Sequence, residues 1–150
     1  MIRNAIAIFV CILAFFGSFM LVSMAIDRDP PILYESAKAI ELDAHRGGTL
    51  DIEFKVFRSR ICASDTRRYL VDSAGERHAI PSYTVGVQLL AGRETYQRSI
   101  TIPAAAALGP AFYEVTLAYR CNVFHRLFYP ITVTSPPITF NILPAVSASH

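Results

Sequence analysis

The chain has 150 residues, is 53% apolar and only 17% charged, and carries a formal net charge of +2. That length suits one domain of about 100–125 residues plus an appendage. Beyond residue 26, thirteen basic side chains face twelve acidic ones. Composition therefore gives no general polyanion-binding signal, and nucleic acid is not expected as a partner.

The excess of apolar residues lies at the N-terminus. Residues 5–26, AIAIFVCILAFFGSFMLVSMAI, form an uncharged run of 22 positions, enough helix to span a hydrocarbon core of about 30 Å. A cleaved signal peptide is the alternative, with Arg3 as its basic start and Ser23-Met24-Ala25 before the cut. The run is longer than the usual signal-peptide core, which favours an uncleaved anchor over residues 1–26. Arg3 precedes the run and Asp27-Arg28-Asp29 follows it, so the positive-inside rule places the N-terminus in the cytoplasm. The expected location is the inner (cytoplasmic) membrane, with residues 27–150 periplasmic, or a free periplasmic or secreted protein if the segment is cleaved. Cys11 reads as a small hydrophobe within the helix. Cys62 and Cys121 remain as one pair in an oxidising compartment.

Residues 27–31 read as a short polar linker stiffened by Pro30 and Pro31, and residues 32–150 as the ectodomain. There the apolar pattern alternates with period two. A first strand is expected near 32–42, with a turn at His45–Gly48. The second, LDIEFKV, directs Leu50, Ile52, Phe54 and Val56 to one face. RRYLVD follows and turns at Asp72–Gly75. Residues 77–90 continue as one or two strands, and TYQRSITIP is the next. Residues 103–108, PAAAAL, suggest one helical turn. LGPAFYEVTLAYRC sets Tyr113, Val115, Leu117, Tyr119 and Cys121 on one side. LFYPITV and ITFNI end the pattern, separated by Ser135-Pro136-Pro137, which shifts the apolar parity. The prolines protect the last strand from edge pairing. Seven or eight short strands in this length imply an all-β antiparallel sandwich behind one transmembrane helix, with a closed barrel as the alternative.

The segment IPAAAALGPAFYEVTLAYRC resembles the E–F corner and F strand of immunoglobulin-like sandwiches. Tyr113 follows a Gly-Pro turn and Tyr119 stands two residues before Cys121. The resemblance implies that Cys121 bridges to Cys62 at the end of a B strand, although the chain has no tryptophan to cover such a bridge. The whole arrangement also resembles small uncharacterised membrane-anchored proteins of bacteria and their phages. That likeness implies a setting, such as lysis or phage exclusion at the host inner membrane, and no chemistry.

Three chemical readings compete with a disulfide for AYRCNVFHRLFYP. A copper site on a cupredoxin-like sandwich would use His78, Cys121 and His125, but no methionine follows to serve as axial ligand. Zinc would use these and Cys62, without the usual tight cysteine spacing. A nucleophilic Cys121 would need His125 and Asp65. No phosphate loop, serine elbow or paired-carboxylate motif appears. The chain is expected to be non-catalytic and without a cofactor. His125 reads as a partly exposed loop residue, and Phe124, Leu127, Phe128 and Tyr129 as core and rim. Arg58, Arg60, Arg67 and Arg68 flank Cys62; Arg120 and Arg126 flank Cys121. These arginines are expected to gather at the anchor-proximal end, against anionic phospholipid headgroups or another membrane protein.

Overall fold

The computed structural model describes residues 2–85 and 91–145. An N-terminal helix, α1 (Ile2–Ile26), precedes nine strands and one further short helix among those residues. Arg3–Ile26 is long and apolar enough to cross a membrane, and none of its most apolar window is buried against the rest of the chain.

The strands form two sheets around one apolar core. The smaller sheet is β1 (Ile32–Ala39), β3 (Thr49–Arg58) and β6 (Gly92–Thr101), with β3 central and antiparallel to both neighbours. The larger sheet runs β2 (Asp43–His45), β9 (Ile138–Leu143), β7 (Gly109–Arg120), β4 (Ala63–Val71) and β5 (Arg77–Val85), with β8 (Ile131–Thr134) also on β7. The alternation in the sequence sets the inner faces. Leu50, Ile52, Phe54 and Val56 of β3 are at most 3% exposed. Every second residue of β7 from Ala111 to Tyr119 is likewise buried. Both rows enter the same core, the arrangement that lets two half-apolar sheets remove their apolar faces from water.

Three details depart from the sequence expectation. The first strand does not run through residue 42. It bulges at Glu35 and ends at Ala39. After a bend, β2 crosses to the larger sheet and pairs in parallel with β9. Residues 103–108 form no helix; a single turn closes with Ala106 N–H donating to Pro103 O at 3.1 Å. Residues 127–130 belong to no strand, because the chain there is occupied by α2 (Val123–Leu127) and its exit. The stretch 86–90 of the expected fourth strand lies outside the described residues.

The parity shift at Ser135-Pro136-Pro137 has a direct cause. β8 pairs with Thr116–Tyr119 of β7, and β9 pairs with Gly109–Tyr113 of the same strand. Prolines cannot donate to a ladder. Buried Ser135 fills the gap: its N–H donates to Val115 O at 2.8 Å and its Oγ accepts from Val115 N–H at 3.0 Å. The chain then resumes with Ile138, Phe140 and Ile142 inward.

Candidate functional site: the joint between helix and sheets

A helix ends with backbone carbonyls that have no intrahelical donor. The last turn of α1 meets that need with side chains from the region that follows β7. Asn122 Nδ2–H donates to Met24 O at 3.0 Å, Tyr129 Oη–H to Ala25 O at 3.3 Å, and His125 Nε2 lies 2.8 Å from Asp27 O. Because a carbonyl only accepts, the His125 contact requires the Nε2–H tautomer. The short helix α2 makes this possible. Asn122 is its N-cap, and its side chain accepts from His125 N–H at 2.9 Å. His125 and Tyr129, one turn apart, then face α1 together.

Residues 27–31 are tied down as well. Arg60 grips both Asp27 carboxylate oxygens, at 2.5 and 2.9 Å, and also donates to Asp29 O. The hydrogen bond from Arg60 holds the Asp27 carboxyl below its ordinary range. Ser59 N–H donates to Pro31 O at 3.0 Å, and Pro31 is buried. The expected linker is thus a docked segment. Arg28 stacks on Tyr129, 4.0 Å from the ring centroid, a favourable cation–π distance.

Cys62 and Cys121 are disulfide-bonded, with Cα atoms 4.7 Å apart. The pairing is the one implied by the immunoglobulin resemblance, but its placement in the fold differs. β3 ends at Arg58, and Cys62 instead leads into β4. Since Ala63 pairs with Arg120, the bridge closes the end of the β4–β7 ladder within one sheet rather than joining two sheets. Asn122 follows Cys121 directly, so the bridge also fixes the start of α2.

His125 is 1% exposed, not a partly exposed loop residue. The contact that holds it inward comes from Asp27 O, just past the end of α1 and 98 residues away in sequence. Leu127 and Phe128 are the reverse case: they are 67% and 69% exposed rather than core. The three donors of the copper reading are not brought together. Cys121 is in the bridge, His125 bonds Asp27 O, and His78 pairs opposite Leu70 on β4. Seven residues of strand separate Leu70 from the bridged end, about 23 Å. The same bridge removes the thiol from the zinc and nucleophile readings, and Asp65 bonds Arg120 at 2.9 Å.

The arginines divide. Arg58, Arg60 and Arg120 are at the joint end, bonded to Glu94, Asp27 and Asp65 respectively. Arg126 is there too, exposed on α2. Arg67 and Arg68 are not: they lie mid-strand, opposite Thr116 and Val115, with Arg68 donating to Pro81 O. A strand of nine residues carries them past the end that Cys62 marks.

A second polar cluster sits at the far end. Asp72, Glu76 and His78 place ligand-type atoms within 4.8 Å of one another. Both Asp72 oxygens are already engaged. Oδ1 accepts from Ala74 and Glu76 N–H, and Oδ2 from Ala107 N–H and His78 Nε2. The trio is a latch between the β4–β5 turn and the loop before β7.

Asn122 is the functional residue that strand periodicity does not reveal. An asparagine before a short apolar run is an N-cap signal. Asn122→Ala is expected to cost about 1 kcal/mol and to raise amide exchange across residues 123–128, measured by hydrogen–deuterium exchange. Unchanged exchange there would remove Asn122 from the joint.

No family model matches the chain, and no curated protein matches it in sequence. Solved structures that share part of its shape include the following two. An alkylpurine DNA glycosylase, AlkC, from Pseudomonas fluorescens, bound to DNA containing an abasic site analog, aligns at TM-score 0.46 and 9% identity. It covers 75% of this chain and 30% of its own. A beta-glucosidase from Listeria innocua in complex with glucose aligns at TM-score 0.43 and 10% identity, covering 77% of this chain and 16% of its own. The chain thus spans less than a third of either protein, and likenesses this weak say nothing of its activity.

Proposed function

We propose that the chain is a non-catalytic, single-pass membrane protein that presents an immunoglobulin-like sandwich on the periplasmic face of the inner membrane as an interaction module. The observation that carries this reading is the joint. An exposed apolar helix of spanning length leads, without a free linker, into a β-domain that caps its end through Asn122, His125 and Tyr129. A cleaved leader has no need of partners for its last carbonyls in the mature fold. The strand order supports the immunoglobulin likeness: β1-β3-β6 corresponds to A, B and E, and β9-β7-β4-β5 to G, F, C and C′. The in-sheet bridge and the missing tryptophan are departures from that pattern. The disulfide agrees with an oxidising compartment.

The test is topology in intact cells. Alkaline phosphatase fused after residue 145 is expected to be active, and α1 is expected to stay attached to the mature chain by N-terminal mass. A cytoplasmic reporter signal, or a chain starting near residue 26, would overturn the anchored reading. Partners are then sought by photo-crosslinking from exposed sheet positions in the membrane. A discrete protein adduct is expected.

A further inference from the structure

The outer face of α2 is apolar although it is exposed. Val123, Leu127 and Phe128 are 60%, 67% and 69% exposed. Val123 and Leu127 are one turn apart, on the face opposite His125. Phe128 leans on Phe124, with ring centroids 5.7 Å apart. For a helix of five residues in water, this surface has no reason to be so apolar. Its height along α1 supplies the reason.

The hydrogen bonds at the joint fix that height. Asn122 reaches Met24 O and Tyr129 reaches Ala25 O. The uncharged run starts at residue 5. At 1.5 Å per residue, a core of about 30 Å is filled by about 20 residues, so a span begun there emerges near Met24. The level at which α1 leaves hydrocarbon is the level at which α2 is bonded to it. Cations stand at the same height: Arg28 lies over Tyr129, and Arg126 is exposed on α2. Apolar side chains bordered by arginines, lying beside a spanning helix, match the chemistry of the headgroup–acyl boundary.

We propose that α2 is an interfacial foot: Val123, Leu127 and Phe128 enter the lipid boundary of the outer leaflet, with Arg28 and Arg126 at the headgroups. The foot rests on the reading of α1 as an anchor. It fixes the tilt of the β-domain, because a rigid joint and a second lipid contact define an orientation that one helix alone leaves free. The Asp72 end then points away from the membrane.

The chain contains no tryptophan, so a single introduced tryptophan reports alone. The full chain is reconstituted in phosphatidylcholine vesicles containing dibrominated phosphatidylcholine, as four variants: Phe128→Trp, Leu127→Trp, Phe16→Trp in α1 and Leu108→Trp at the far end. The expected result is blue-shifted emission and severalfold stronger quenching by bromolipid for positions 128 and 127 than for 108, with position 16 quenched as well. Quenching at 16 with none at 127 and 128 would overturn the foot and leave the anchor standing. No quenching at 16 would overturn the anchor, and the foot with it. Quenching at 127 and 128 equal to that at 108 would also sink the proposal, since it would report nonspecific adsorption.

Discussion

Reduction of the Cys62–Cys121 bridge is expected to lower the melting temperature of the β-domain by about 15 °C. Cross-linking residues 59 apart in sequence removes loop entropy from the unfolded chain worth about 4 kcal/mol. For a domain of this size each kcal/mol moves the midpoint by about 4 °C. The bridge also has a local task. It closes the open end of the β4–β7 ladder where Ala63 meets Arg120, and Asn122 begins the joint one residue later. Cleavage should therefore loosen α2 before it unfolds the sheets, and hydrogen exchange in the presence of reductant should show residues 122–129 opening first. The Cys62→Ala/Cys121→Ala double variant should behave as the reduced chain does. Thiol titration of the denatured, non-reduced protein should find one reactive cysteine, Cys11. A melting temperature that reductant leaves unchanged would mean that the ladder and the core hold this end without the bridge.

Much of the β-domain was legible because its signals are local. The alternation from Leu50 to Val56 and from Ala111 to Tyr119 has the period of a strand, and both rows are buried as that period demands. The Ser-Pro-Pro break was legible for the same reason, since proline cannot continue a ladder. Other features were decided by neighbours distant in sequence. β2 changes sheets after a first strand whose alternation gives no warning, because three residues suffice to pair with β9. Cys62 continues the parity of β3, and only the loop of 59–62 shows that it opens the next strand. α2 is shorter than two turns, too short for a helical period to register. His125 was misplaced because the contact that holds it inward comes from Asp27 O, 98 residues away in sequence. Leu127 and Phe128 read as core and rim because a soluble domain hides such residues, yet both are exposed on the outer side of α2. The arginines show the limit of counting along the chain: Arg67 and Arg68 are five and six residues from Cys62, yet extended backbone takes them to mid-sheet.

Asp72→Asn should flatten the acid limb of the stability curve. The Asp72 side chain is 1% exposed and accepts four hydrogen bonds from two separate segments. The donation from Ala107 N–H, then that from His78, with Glu76 and Ala74 N–H adding to them, holds its carboxyl well below the usual carboxylate range, against burial that acts in the opposite sense. A carboxyl of depressed pKa stabilises the fold above its unfolded value of about 3.9. That contribution is lost as pH falls below this value toward the native one, because the unfolded chain then binds the extra proton. The melting temperature of the unmodified chain should therefore fall steeply below about pH 4. An asparagine offers one acceptor oxygen. With that oxygen toward Ala74 and Glu76, its amide N–H₂ confronts the Ala107 N–H donor, and His78 Nε2 must change from donor to acceptor to keep its contact. The variant should melt lower at neutral pH and change less on acidification, with Asp27, also depressed, supplying part of the remaining slope. Its disturbance should appear in hydrogen exchange at residues 103–108 and 72–76, not at α2, which lies at the other end of β4. Parallel curves of melting temperature against pH for the two proteins would show that the latch is not the group that acid releases.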